Sequence, residues 1–226
     1  MQTVFELEEE DPVRFFILVK SILRKTFMNI QQCLQSQQRF DIDLSGSTLV
    51  IFIVTQVNIL TANCGDSRGI IIDKKGRSLF ETRDHKPERF DERQRIEVKY
   101  RGKVKEQFGD HKVPILNEKE IKLPLRVWSQ YINMPGLAMS RSLGDTMGKQ
   151  LGVISDPEVS IYPLKDPKSL PQALFLASDG VWDVMASYEV SDFIRGKKKE
   201  GCEAKSCAES IILECNRRWQ KKDFNQ

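Results

Sequence analysis

The 226-residue chain is poor in several features that would announce a chemistry directly. It has two histidines, His85 and His111, too few for a histidine-rich dinuclear hydrolytic centre. Its cysteines, Cys33, Cys64, Cys202, Cys207 and Cys215, are odd in number and lack the paired spacing of zinc ligands. They read as reduced thiols, and no secretory leader opens the chain, so a cytoplasmic or nuclear protein is expected. The longest apolar runs, 15–19 and 49–54, fall well short of the roughly 20 residues that span a bilayer. Gln2 excludes the N-myristoylation pattern, so no membrane association is expected. Charge of one sign is missing as well. Lys+Arg number 35 against Asp+Glu 32, interspersed, for a net charge of +3, which gives no case for nucleic-acid binding. The run Lys197, Lys198, Lys199 reads as a solvated loop, with a nuclear signal as the minor alternative. There is no internal repeat, and no pattern specifies an oligomeric state.

What is present is an ordinary globular composition, 40% hydrophobic and 30% charged, in a chain long enough to build a core without staples. Asp11 followed by Pro12 is a helix start. Phe16, Leu23, Phe27, Ile30 and Leu34 then recur at helical spacing, predicting an amphipathic helix over 12–37 with those residues buried. Two β-rich runs, 49–54 and 57–64, read as a hairpin; 69–72 and 77–82 follow as strands around a turn at 73–76. Residues 88–99 read as a charged helix and 102–108 as a strand. Residues 109–130, with prolines at 114 and 124, form the longest irregular connection, the length at which loops are usually functional. A short helical pattern covers 137–143, closed by Gly144 and Asp145. Strand pieces follow at 153–159 and 160–164, a turn region at 163–171, and helices at 188–195 and 202–219. In the last helix Ala204, Ala208, Ile211, Cys215 and Trp219 form the expected buried stripe, which makes Cys215 a small hydrophobe. Strands grouped between an early helix and late helices predict an α+β fold with mostly antiparallel sheets inside and helices outside. A doubly wound fold is excluded because regular βαβ alternation is absent.

The most informative stretch is residues 174–185, LFLASDGVWDVM. An apolar run reads as a short buried strand that delivers Ser178, Asp179 and Gly180 to its C-terminal end. A carboxylate against apolar sequence needs a partner, a hydrogen bond or a metal. Gly180 removes the Cβ where the backbone turns or another group approaches. With a helical turn starting at Val181, Asp183 returns to the side of Asp179, and a divalent cation would offset their repulsion. Asp179 therefore has two readings, helix N-cap and metal ligand. Asp66, between strands and after Gly65, likewise reads as a turn aspartate or a ligand. Asp145 after Gly144 is a third acid beside glycine. Hard oxygen ligands on turns suit Mg²⁺ or Mn²⁺.

Together GDSR at 65–68, DHKP at 84–87, RVW at 126–128, PGLAMSRSLGD at 135–145, DPEV at 156–159 and ASDGVWDVM at 177–185, with SGST at 45–48, resemble the type-2C, metal-dependent protein serine/threonine phosphatases. The resemblance runs from Ser45 to Trp219. It implies a four-layer αββα sandwich of two mostly antiparallel sheets flanked by helices, a dinuclear Mg²⁺ or Mn²⁺ centre, and hydrolysis of phosphoserine and phosphothreonine in a phosphoprotein substrate. On that pattern Asp179 is the core-metal ligand, Asp66 and Asp183 hold a weaker additional metal with it, and Gly180 is the glycine beside the ligand. Residues 109–142 become a flap over the site within a single partial domain spanning 1–226.

The family's opening arginine, its Glu-Asp pair, its DGHGG and its closing DN have no counterpart here. The chain thus resembles a piece starting at the family's second helix and ending before its last strands, incomplete at both ends. A partial site with weak cation affinity is implied, catalytically silent or nearly so unless flanking polypeptide completes it. No catalytic acid is identified. The alternative to an enzyme is a pseudophosphatase that binds a phosphoprotein or regulates a partner. Cys33 and Arg39 match the Cys-x5-Arg spacing of cysteine-dependent phosphatases. The intervening LQSQQ lacks glycine and lies late in a helix, which excludes that chemistry.

Overall fold

The computed structural model describes residues 4–37, 41–100, 102–106, 115–116, 119–120, 124–164 and 170–223. Its chain forms two compact units: Met1–Leu49, Ala62–Asp66 and Asp84–Val159 in one, Val50–Thr61, Ser67–Arg83 and Ser160–Gln226 in the other.

The first unit opens with helices α1 (Val4–Glu10) and α2 (Pro12–Ser36). Asp11 caps α2 by accepting a hydrogen bond from the Arg14 amide at 3.0 Å, with Pro12 in the first turn where its missing N–H costs nothing. The buried row is Phe15, Val19, Leu23, Phe27 and Gln31. Of the expected stripe only Leu23 and Phe27 are buried; Phe16, Ile30 and Leu34 are half-buried. The helix uses a strict fourfold row, and the apolar face in sequence was wide enough to hide which row that was.

A short strand β1 (Gly46–Ser47) follows α2 and pairs antiparallel with β11 (Leu143–Gly144), Gly46 opposite Gly144. Strands β6 (Lys103–Lys105), β9 (Arg126–Trp128) and β10 (Pro135–Leu137) form an antiparallel sheet in the order β10-β9-β6. Two further short strands, β7 (Ile115–Leu116) and β8 (Lys119–Glu120), pair with each other. Helix α3 (Phe90–Gln94) runs into a π-helical turn, Arg95–Lys99, and α4 (Thr146–Lys149) is a single turn. Ile96, Val104, Val127 and Val153 form the core beside Leu125, Leu137 and Leu151.

The helix expected over 137–143 is not formed. Leu137 ends one strand and Leu143 starts another, and the residues between are irregular because their backbone groups bond to distant segments. The Ser140 amide donates to the His85 carbonyl at 2.8 Å and the Ser142 amide to the Ile154 carbonyl at 3.1 Å. Such bonds remove the need for the local helical ladder.

Most of strands β2 (Leu49–Val54), β3 (Asn58–Cys64) and β12 (Glu158–Pro163) belongs to the second unit, in a sheet of order β12-β3-β2. Thr55 closes the turn between β2 and β3, its Oγ1 accepting from the Asn58 amide at 2.9 Å. Strands β4 (Arg68–Ile72), β5 (Ser78–Glu81) and β13 (Ala173–Ala177) form an antiparallel sheet of order β13-β4-β5, with Ala173 opposite Ile72 and Ala177 opposite Arg68. Helices α5 (Asp179–Trp182), α6 (Ser187–Lys199) and α7 (Ala204–Asp223) cover it, burying Ile70, Ile72, Met185, Val190, Ile194, Ile211 and Cys215. Lys197, Lys198 and Lys199 are the last turn of α6 rather than a loop, where cations face the negative helix end. In α7 the buried row is Cys207, Ile211 and Cys215; Ala204 and Ala208 are exposed and Trp219 half-buried. The expected turn at 163–171 lies largely outside the described residues.

Candidate functional site

Strand β13 is only half-buried, with Leu176 40% exposed, because it lies at the edge of its sheet. It hands over to α5, whose N-cap is Ser178; Asp179 occupies the first turn instead of the cap. An acid there faces free backbone N–H groups, a favourable position. The Asp183 amide donates to the Asp179 carbonyl at 2.8 Å, so the two acids stand one helical turn apart, both exposed. The apolar burial inferred for Asp179 is absent. Trp182 anchors this turn from beneath. Its Nε1 donates to the Ala177 carbonyl at 2.8 Å, Phe175 meets it edge-on at 5.6 Å, and the Arg68 guanidinium lies 5.0 Å from its ring centre. Gly180 is exposed inside α5, and an added Cβ would meet only Ser178 Oγ at 3.4 Å, so no close approach demands glycine there. Its carbonyl accepts from Trp219 Nε1 at 2.8 Å, which ties α7 to the turn.

Asp66, in the first unit, is 2% exposed. Gly65 before it has φ +115, and a Cβ there would approach Thr48 Cγ2 to 2.3 Å, so only glycine allows this turn. The Lys86 ammonium lies 2.5 Å from Asp66 Oδ2. His85, fully buried, clamps the same turn: its amide donates to the Gly65 carbonyl at 3.0 Å and its Nδ1 lies 3.1 Å from the Gly65 amide nitrogen. The DHKP segment therefore holds the GDS turn.

Behind it runs an ionic network that sequence reasoning missed. His85 Nε2 lies 3.2 Å from Glu158 Oε2, and Arg89 reaches Glu158 at 2.9 Å. Glu92, fully buried, receives Arg95 at 2.7 Å, Arg141 at 2.6 Å and the Ser140 hydroxyl. Burial alone would raise the Glu92 carboxyl, but these donors hold it well below the usual carboxylate range. The His85 imidazole, with Arg89, holds Glu158 down at about 2. Glu92 lies in a stretch of mixed charge, where no spacing distinguishes one buried acid from solvated neighbours; the serine and arginine of PGLAMSRSLGD were the available signal.

Asp145 is buried at the start of α4 with φ 48 and makes no side-chain capping bond. A Cβ on Gly46 would come within 2.0 Å of its Oδ2, so that glycine makes room for the carboxylate. Cys33 is exposed on α2, and Cys215 is buried with its thiol pushed up by desolvation, neither offering an activated nucleophile.

No group of three or more His, Cys, Asp or Glu among the described residues forms a ready cation cage. Asp179 and Asp183 nevertheless fit a hydrated Mg²⁺ or Mn²⁺ in donor chemistry, since such ions keep most of their waters and take one or two carboxylates. Asp66 is already engaged by Lys86, and a cation there would have to displace that ammonium.

Antiparallel sheets with covering helices define an α+β scaffold. The chain belongs to the Protein phosphatase 2C family, whose model matches residues 3–223. It is 35% identical over 202 residues to "Probable protein phosphatase 2C 52" of Arabidopsis thaliana, covering 88% of this chain and 39% of that protein. It is 31% identical over 207 residues to "Protein phosphatase 1L" of Bos taurus, covering 91% of this chain and 50% of that protein. The chain thus spans half or less of each of these relatives. A crystal structure of serine-threonine phosphatase 2C from Toxoplasma gondii shares the fold, with TM-score 0.69 at 21% identity over 96% of this chain and 67% of that one. No helix of the described residues is long and apolar enough to cross a membrane.

Proposed function

We propose that this chain, with its natural flanking polypeptide, is a protein serine/threonine phosphatase that hydrolyses phosphoserine and phosphothreonine in phosphoproteins with Mg²⁺ or Mn²⁺. Asp179, Asp66 and Asp183 are assigned as the metal-holding carboxylates, with Gly180 beside the first. The observation that carries the reading is the exposed pair Asp179 and Asp183, one turn apart on a helix of a family member. When bound, the cations supply a water of lowered pKa and positive charge against the phosphoryl oxygens.

The chain's own residues hold that pair in place. Trp182 and Trp219 fix α5 through the Ala177 and Gly180 carbonyls. Lys86 neutralises Asp66 and is exchanged when a cation takes that carboxylate. Residues 109–142 are assigned as the flap that meets the phosphoprotein; between β9 and β10 it presents Tyr131, 90% exposed, and Ile132, 53% exposed. A cytoplasmic or nuclear setting is part of this reading, supported by the five free cysteines. A second reading, a catalytically silent module that binds a phosphoprotein, is favoured by the ammonium already on Asp66.

The test is hydrolysis of an aryl phosphate and a phosphothreonine peptide by the chain with its natural flanks. Turnover that needs Mn²⁺ and disappears with Asp179→Asn is the expected result. Turnover indifferent to Asp179→Asn would overturn the assignment, and peptide binding without turnover would establish the silent module.

A further inference from the structure

The first unit contains a cavity of about 630 Å³ that the phosphatase reading does not use. Its wall carries Arg24, Lys25, Arg95, Lys99 and Lys149 against one carboxylate, Asp156. Arg24 holds that carboxylate with bonds of 2.5 and 2.8 Å, and Arg95 is committed to Glu92 at 2.7 Å. Lys25, Lys99 and Lys149 pair with no carboxylate of the described residues. Three cations therefore share one concavity without an ion-pair partner among the described residues; Lys25 and Lys99 are exposed, and the cost of desolvation falls on Lys149.

Lys149 sharpens the point. Its Nζ donates to the Ser142 carbonyl at 2.6 Å and Ser142 Oγ at 3.1 Å, and burial pushes its pKa down to about 8. An anion beside it would offset that desolvation. Gln31 adds an independent signal. It lines the same wall at 5% exposure, and its Oε1 accepts from the Gly144 amide at 2.8 Å. A backbone N–H can only donate, so this bond fixes the side-chain amide and leaves Nε2 as the donor. That Nε2 is buried and finds no acceptor among the described residues.

We propose that this cavity binds a small, multiply charged anion of the phosphate or phosphate-ester class, gripped by Lys25, Lys99 and Lys149 with the Gln31 amide as a further donor. The volume suits a small organic phosphate and exceeds the needs of a single phosphate ion. The site is independent of the assigned metal carboxylates, so it stands or falls apart from the phosphatase reading.

Calorimetric titration of the protein in EDTA with inorganic phosphate, with pyrophosphate and with a phosphothreonine peptide tests it. The expected result is pyrophosphate binding at least tenfold tighter than phosphate or peptide, weakening as salt is raised. Lys25→Ala with Lys99→Ala, both exposed positions, is expected to weaken pyrophosphate at least tenfold with an unchanged circular dichroism spectrum, while Lys205→Ala leaves it unchanged. Absence of binding at millimolar pyrophosphate, equal affinity in the double variant, equal loss in Lys205→Ala, or tighter binding of the peptide would each overturn the proposal.

Discussion

The Lys86 ammonium stands 2.5 Å from Oδ2 of Asp66, a carboxylate almost wholly removed from solvent. A side-chain cation thus occupies the partner position that the family resemblance assigns to a metal. Lys86→Met leaves this acid unpaired and is expected to cost about 1–3 kcal/mol. Mn²⁺ should restore more of the melting temperature in Lys86→Met than in the parent, read by calorimetry with and without metal. Equal responses would remove Asp66 from the cation site.

Asp179 and Asp145 both lie beside glycine, but only Asp179 is exposed. Asp179→Ala is therefore expected to reduce the Mn²⁺ response, read as metal-induced stabilisation, more than Asp145→Ala. Equal reductions would show the site to be misassigned.

Glu92 is the counter-ion for Arg95 and Arg141 in a fully buried position. Removing it strands two guanidinium groups, and Glu92→Ala is expected to destabilise by about 3–5 kcal/mol in urea unfolding. A loss within the noise of the measurement would mean that the arginines find other partners.

Glu158 titrates at about 2 in the fold against an ordinary value of 4.5, held down by His85 and Arg89. A depressed carboxyl binds fewer protons folded than unfolded, so its stabilisation is present above the unfolded value. That contribution is lost as pH falls from about 4.5 through about 2. Glu92 shifts in the same direction. Glu158→Gln should therefore flatten the acid limb of the stability profile and leave neutral pH behaviour to the lost hydrogen bonds. An unchanged acid limb would contradict the network.

The face of α2 offers a comparison between adjacent residues. Phe15 is 1% exposed and Phe16 only half-buried. Phe15→Ala is expected to cost about 3–5 kcal/mol, and Phe16→Ala about 1 kcal/mol. The reverse order would restore the stripe inferred from periodicity.

Much of the fold was legible locally. The Asp11-Pro12 start of α2, the β2 boundaries at 49 and 54 and the turn at 73–76 rest on capping, β-propensity and turn chemistry, which act over a few residues. The helix expected over 137–143 failed because His85 and Ile154, distant in sequence, take its backbone bonds. The candidate site was legible in part: the acids at 66 and 179 were visible beside their glycines and Asp183 by its spacing from Asp179, but their environments were not. Asp179, inferred against apolar sequence, is exposed because β13 lies at a sheet edge, and Asp66 meets an ammonium twenty residues further along.

By itself the sequence determined the α+β class, the family and the acidic turns, because periodicity, glycine placement and contiguous motifs are properties of neighbouring residues. Only the tertiary structure decided which acids are buried, that Glu92 is enclosed by Arg95 and Arg141, and that Lys25, Lys99 and Lys149 share one cavity. Burial and charge pairing depend on what distant segments bring to a residue, and no local pattern carries that information.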